Sequence, residues 1–148
     1  MAKQIDFRLQ PILNMKANLV DQLEVAFAKS RLAHQQAVAK LNHLQQLKSQ
    51  TQFALQQQQQ GLLNQESIQH HLRYLQHLET CLFDQTTQVS QAEAAMEERR
   101  AELVKMMRDK QTLETLRNHH QTRQLKAINQ KEAKAVDDLV TSRYGYGD

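Results

Sequence analysis

The composition of this 148-residue chain argues against a compact globular fold. It contains three glycines, one proline, no tryptophan and 5% aromatic residues, and its mean hydropathy is −0.71. A compact core needs turns and aromatic bulk, and this chain supplies little of either. The net charge of +3, from 19 basic and 16 acidic residues, is too balanced to indicate a nucleic-acid or membrane partner.

Cys81 is the only cysteine, so no internal disulfide bond can form, and we expect a cytoplasmic protein. The N-terminal residues lack a continuous apolar region, and no stretch approaches the roughly 18 apolar residues that a membrane span needs. Any contact with a membrane is therefore expected to be peripheral.

The first predicted element is a helix over residues 8–60. Pro11 is tolerated in the first turn of a helix and poorly any deeper, so it places the start near residue 8. With 24 glutamines beside its Ala, Leu, Glu, Lys and Arg, the chain is rich in strong helix formers. A heptad frame predicts a seam with Leu13, Val20, Phe27, His34, Leu41, Lys48 and Leu55 at a, and Lys16, Leu23, Ser30, Ala37, Leu44 and Thr51 at d.

The bend is predicted at residues 61–64. Gly61 follows a run of five glutamines and can adopt the left-handed conformation that often ends a helix. Asn64 is the expected N-cap of the second helix, with Ser67 as the alternative. The second helix should cover residues 65–143, which contain neither Gly nor Pro, and residues 144–148 should form a frayed tail.

The second helix carries its own narrow seam. Ile68, Leu75, Leu82, Val89, Met96 and Leu103 occupy a, whereas d alternates between apolar Leu78, Ala92 and Met106 and polar His71, Gln85 and Arg99. Such a stripe cannot build a globular core alone, so the two helices must cover each other. The sequence predicts an all-α fold, an elongated antiparallel two-helix coiled-coil hairpin in a single domain (1–148), in which residue i faces about residue 125 − i.

The second helix is longer than the first, so its end is expected to project alone. Past Leu103 we expect the stripe to continue through Met106, Met107, Leu113 and Leu116, and then to change phase to Leu125, Ile128, Ala135, Val136 and Leu139. Residues 119–143 would then carry an uncovered apolar strip. Such a strip on a water-exposed helix indicates a docking surface.

We find no pattern typical of catalysis or metal binding, and expect a protein that is not an enzyme and has no cofactor. Paired carboxylates, a glycine-rich phosphate loop and a Ser/His/Asp arrangement are missing from the sequence, and two helices offer no closed cleft. Cys81 is expected as a half-buried side chain with no base nearby. The histidines are interpreted as surface residues. Acidic residues interleave the basic ones between residues 108 and 134, which argues against nucleic-acid binding.

Three groups of residues together resemble a known family. They are Phe7-Arg-Leu9 with Ile12-Leu13, then Tyr74-Leu75-x-x-Leu78-Glu79, and finally Arg108-Asp-Lys110-x-x-Leu113-Glu114-x-Leu116 with Glu132, Asp137-Asp138 and Arg143-Tyr144. In this order and spacing the whole chain resembles the FliJ family, small coiled-coil proteins of the flagellar type III export apparatus.

The resemblance implies an antiparallel coiled coil similar to the stalk subunit of rotary ATP synthases. It implies that the two termini enter the central pore of the hexameric export ATPase and promote its assembly. It also implies contact with the transmembrane export gate and with export chaperones of late substrates, at the cytoplasmic side of the inner membrane.

The resemblance also implies two sets of site residues. The gate-binding ridge of the family falls on Tyr74, Leu78, Cys81 and Gln85, where Cys81 is larger than the family's small residue and Gln85 is an uncharged amide. The part that enters the ATPase falls on residues 9–23 and 108–143, and within them on Leu13, Arg108, Lys110, Glu114, Arg117 and Arg123.

One alternative remains open from the residues themselves. The chain could be a structural coiled coil whose seam mediates self-association, or a holdase chaperone. Polar seam residues such as His34, Lys48 and Arg99 favour weak, register-specific pairing over a tight homodimer. We therefore expect a monomer when the protein is free.

Overall fold

The computed structural model describes residues 7–61 and 64–145. Within them the chain forms two α-helices, α1 (Gln10–Gln60) and α2 (Gln65–Gly145), and contains no strand. The predicted all-α hairpin with a longer second helix is confirmed. The predicted tail is wrong for residues 144 and 145, which still belong to α2. Residues 146–148, and Leu62 and Leu63 of the predicted bend, lie outside the described residues.

The chain divides into two compact units. One contains residues 22–103, and the other contains residues 1–21 together with residues 104–148. The prediction of a single domain (1–148) stays a prediction.

In the unit of residues 22–103, the two helix stretches run antiparallel in the predicted register. Gln85 Nε2 donates a hydrogen bond to the carbonyl oxygen of Ala37 at 2.9 Å, and the guanidinium of Arg100 lies 5.6 Å from the ring centroid of Phe27. The two residue numbers add up to about 125 in each pair, as a fold-back near Gly61 requires. The predicted pairing is therefore confirmed in this unit.

The core of this unit is thin and mixed in character. Leu78 and Met96 are its buried apolar residues, and Thr51 and Gln85 are its buried polar ones. The Thr51 hydroxyl donates to the carbonyl oxygen of Leu47 at 2.8 Å, so both buried polar side chains make a hydrogen bond. Most other seam residues are half-buried. Packing of this kind stabilises a pair of helices, but it buries only a small apolar area.

Arg99 departs from its predicted position in the seam. Arg99 is exposed, and its Nη1 lies 3.3 Å from Oε2 of Glu102 on the same helix. A guanidinium in an apolar seam would lose its hydration, whereas a surface position keeps it hydrated. The seam is therefore interrupted at this d position.

In the unit of residues 1–21 and 104–148, the first turns of α1 pack against α2. Leu13 and Val20 are each 3% exposed. Lys16 Nζ lies 3.7 Å from Oδ2 of Asp109, and the rings of Phe7 and His120 are 5.7 Å apart between centroids. These pairs also add up to about 125, so the predicted register is confirmed here as well.

The heptad of α2 keeps its phase further than predicted in this unit. Lys110 and Arg117 at a, and Leu113 and His120 at d, are all half-buried. Met107 and Leu116 were expected on the stripe and are instead exposed, each at 47%. The physical reason is that an unchanged heptad puts these two residues beside the seam, one position away from a or d.

The second helix begins at the predicted cap. The backbone N–H of Ser67 donates to Oδ1 of Asn64 at 3.4 Å, and the N–H of Ile68 donates to the carbonyl oxygen of Asn64 at 3.0 Å. This is the bonding pattern of an N-cap residue, so Asn64, and not Ser67, caps α2. The Ser67 hydroxyl instead accepts a hydrogen bond from Gln58 Nε2 at 2.6 Å, which joins the two helices beside the bend.

Gly61 does not adopt the conformation that the sequence predicts. Its φ is not positive, and its N–H donates to the carbonyl oxygen of Gln58 at 3.4 Å. The end of α1 therefore tightens into an i to i+3 turn, which pairs an N–H without a left-handed residue. A Cβ built at this position would approach only Gln57 O, at 4.0 Å.

We expect Gly61→Ala to stabilise the protein. Alanine fits the φ and the space at this position, and it reduces the conformational freedom of the unfolded chain, so the free energy of unfolding should rise by about 0.4–1 kcal/mol. Urea titration followed by circular dichroism measures the change. Gln60→Ala is the control for a generic exchange at this helix end. A loss of stability at Gly61 alone would mean that the turn needs a glycine conformation.

Candidate docking surfaces

The predicted gate-binding ridge divides into exposed and buried residues. Tyr74 is 38% exposed and Cys81 is half-buried, whereas Leu78 and Gln85 are almost fully buried against α1. Leu78 and Gln85 occupy d, while Tyr74 and Cys81 occupy the flanking g position of the same heptad. A partner could therefore touch Tyr74 and the edge of Cys81 while the hairpin is closed. The role of all four residues in gate binding stays a prediction.

Gln85 is held in place by a contact to the other helix. Its amide is buried, and Nε2 donates to the carbonyl oxygen of Ala37, which lies on α1. A buried amide without a partner would be strongly unfavourable, so this bond favours one alignment of the two helices over alignments shifted by a residue or more. Gln85 therefore specifies the register of the two helix stretches in this unit, three turns along α2 from Tyr74.

A shallow groove lies beside Tyr74 and is shared by both helices of this unit. Its remaining lining residues are Gln50, Thr51 and Ala54 of α1 and His70 and His71 of α2. His71 Nδ1 donates to the carbonyl oxygen of Ser67 at 2.7 Å, because a carbonyl can only accept. The lining contains no Lys, Arg, Asp or Glu. A partner segment in this groove would meet mainly uncharged polar and aromatic groups.

Cys81 has a histidine neighbour that the sequence analysis overlooked. Its Sγ lies 3.6 Å from Nε2 of His77, four residues earlier on the same helix face. The expectation that no base stands near this thiol is therefore wrong, and i to i+4 spacing was the signal that could have found it. Within residues 7–61 and 64–145, no three His, Cys, Asp or Glu side chains form a group that could hold a metal ion.

The residues predicted to contact the ATPase lie in the other unit and differ in exposure. Leu13 is buried in the seam, and Lys110 and Glu114 are half-buried and 3.9 Å apart between Nζ and Oε1. Arg108 and Arg123 are exposed. These last two are the most accessible to a partner, and the roles of all of them stay predictions.

Arg117 occupies an unusual position among these residues. It is half-buried at seam position a, and its Nε is shielded from water without a hydrogen-bond partner among the described residues. A guanidinium in a seam is poorly accommodated, since it loses hydration without gaining a full set of acceptors. The seam is therefore weakest where the paired part of α2 approaches its end.

Every residue from 122 to 144 is exposed. The predicted uncovered strip is therefore confirmed from residue 122 onward, while His120, which the prediction also left uncovered, lies against Phe7. At 100° per residue its large aliphatic side chains fall within about 120° of the helix circumference. They are Leu125, Ile128, Val136, Leu139 and Val140, between 38% and 70% exposed.

No helix in the described part of the chain is long and apolar enough to cross a membrane. The arrangement offers contact surfaces: a heptad seam, a groove beside Tyr74, and a strip on the exposed end of α2. These features define an all-α coiled-coil protein with candidate docking surfaces on its helices.

The comparisons with known proteins name the family. The model of the flagellar FliJ protein family matches residues 5–146, and the chain belongs to that family. Curated proteins and solved structures yield no significant match. The resemblance seen in the sequence motifs is confirmed, and family membership makes this chain a component of the flagellar export apparatus, with a part in flagellum biogenesis and protein export.

We expect Leu78→Ala and Phe83→Ala to have very different effects on stability. Leu78 is 2% exposed, so its truncation should lower the free energy of unfolding by about 2–4 kcal/mol. Phe83 is 74% exposed on the same helix, so its truncation should change stability by less than about 0.5 kcal/mol. Chemical denaturation of both variants tests this, and equal losses would contradict the burial described for Leu78.

Proposed function

We propose that this protein is a non-enzymatic, stalk-like docking component of the flagellar export apparatus. The exposed end of α2 docks in the hexameric export ATPase and promotes its assembly and activity. The surface around Tyr74 contacts the transmembrane export gate, and the protein also serves export chaperones of late substrates. It acts at the cytoplasmic side of the inner membrane, with only peripheral membrane contact.

The observation that carries this proposal is the uncovered apolar strip of residues 122–144. Apolar side chains on a helix surface are unfavourable in water, so a strip of this length fits a surface that a partner covers. At its start Lys126 lies beside the strip, and Arg123 lies about one turn earlier on the opposite side of the helix. They add attraction to an acidic partner surface and orient the docking helix. Family membership supports the assignment of the partner to the export apparatus.

The proposed contributions of the predicted residues follow their exposure. Arg108 and Arg123 contact the ATPase directly. Leu13 acts indirectly, because it is buried where the first turns of α1 pack against α2. Lys110 and Glu114 pair with each other on α2 and support the helix just before the exposed segment begins. Arg117 lies at this boundary, where an acidic group of the partner would pair with the part of its guanidinium that remains exposed.

The gate contact is proposed to centre on Tyr74. The phenol ring offers a large contact area with few rotatable bonds, and it stands at the edge of a groove to which both helices contribute. Leu78, one turn from Tyr74, anchors this part of α2 in the seam, and Gln85 fixes the register further along the helix. Cys81 contributes its exposed edge.

Reversal of two charges at the start of the exposed segment tests docking to the ATPase. We expect Arg123→Glu combined with Lys126→Glu to weaken binding to the cognate hexamer by about tenfold or more, and to reduce stimulation of ATP hydrolysis accordingly. A pull-down and an ATPase assay measure both effects.

Lys29→Glu combined with Lys40→Glu is the matched control for this experiment. It makes the same change in net charge at two exposed residues of the other unit, and it should bind and stimulate as the native chain does. Circular dichroism verifies the helix content of every variant. Undiminished binding and stimulation by the Arg123 and Lys126 variant would refute the proposed docking surface.

Truncation of Tyr74 tests the gate contact separately. We expect Tyr74→Ala to weaken binding to the cytoplasmic domain of the export gate by about tenfold, because a central aromatic side chain often carries much of an interface's binding energy. Titration calorimetry measures the affinity. Phe83→Ala removes another exposed ring from α2 and should leave it unchanged. If both variants bind equally well, the gate contact lies elsewhere.

A further inference from the structure

The charged residues of the exposed segment 122–144 are unevenly distributed along the helix. Its first part carries four cations and one carboxylate, Glu132, and its later part carries the adjacent carboxylates Asp137 and Asp138 and one cation, Arg143. The cations of the first part are Arg123, Lys126, Lys131 and Lys134. A helix with a net positive first part and a net negative later part complements a copy of itself that runs in the opposite direction.

Lys131 and Asp138 show this complementarity most clearly. They are one heptad apart, so they lie on the same side of the apolar strip, about 20° from each other around the helix. Their spacing along the axis is about 10 Å, which is too long for an ion pair within their own helix. Each is therefore placed to pair with the opposite residue of another helix packed on the strip.

We propose that the strip of residues 122–144 binds a second copy of itself in antiparallel orientation. With the two-fold axis near residue 133, Ile128 packs against Leu139 of the second copy, and Lys131 lies opposite Asp138 of the second copy. Two-fold symmetry forms each of these contacts twice. In an antiparallel pair, one edge of the strip faces the same edge of the second copy. Lys131 and Asp138 both lie on that edge, so they can face each other.

The position of Glu132 selects this orientation over a parallel one. It lies within the apolar strip, so a parallel, in-register pair would place the two Glu132 carboxylates directly opposite each other. The antiparallel pair places each Glu132 opposite Ala135 of the second copy. It thereby separates the two negative charges along the axis.

The pairing is weak and lies outside the intramolecular seam. The segment is about 35 Å long and contains Glu132 among its apolar residues, so the protein is a monomer at low concentration. The polar seam residues that argue against a seam-mediated dimer are not part of this strip. The dimer also covers the surface that the proposed function assigns to the ATPase, so self-association and docking exclude each other.

Sedimentation equilibrium of the full-length chain, from micromolar to submillimolar concentration, tests the proposal. The native chain should dimerise with rising concentration. Lys131→Glu and Asp138→Lys should each weaken the dimer about tenfold, because each puts like charges together twice. The double variant should restore the native dissociation constant. Glu132→Leu should strengthen the dimer. Lys40→Glu, which reverses a charge outside the strip, is the control and should leave the dissociation constant unchanged.

A native chain that remains monomeric throughout this range would overturn the proposal. So would a double variant that stays as weak as the single ones, since only antiparallel pairing brings these two residues together. A dimer that responds to Val20→Ser and not to the charge exchanges would place self-association in the seam and equally overturn it. The experiment needs no ATPase, so its failure is distinct from a failure of the proposed docking function.

Discussion

The structure depends on one constraint: neither helix carries enough apolar surface to be stable in water without the other. Each presents a stripe of one residue at a and one at d in every seven, and several of these positions are polar. Mutual burial along an antiparallel seam is the arrangement that covers both stripes. Everything that remains uncovered, at the flanks and past the last paired turn, is available for contact with other molecules.

Heptad counting predicted the fold because the spacing of apolar residues carries the information directly. Leu13, Val20, Leu78 and Met96 were assigned to the seam from their spacing alone, and all four are buried. The pairing register followed from the position of the bend. Local bonding chemistry was equally readable at Asn64, whose short polar side chain caps α2.

Details that depend on helix rotation were harder to predict. The exposure of Met107 depends on whether the seam keeps its phase, and a sequence does not state how far two helices supercoil. The division of the gate ridge, in contrast, followed from the heptad frame, which put Leu78 at d in the seam and leaves Tyr74 at the flanking g position. The predicted left-handed conformation of Gly61 was wrong for another reason. A helix can also end by tightening its last turn, as α1 does.

The hydrogen bond from Gln85 to the backbone of Ala37 has a mechanical consequence. Displacing one helix lengthwise along the other would break this bond. The buried amide of Gln85 would then lack a partner, which is unfavourable even for a displacement of a few ångströms. The hairpin therefore resists shear at this level. Within the unit of residues 22–103, the two helix stretches are therefore expected to move together along their axes near this bond.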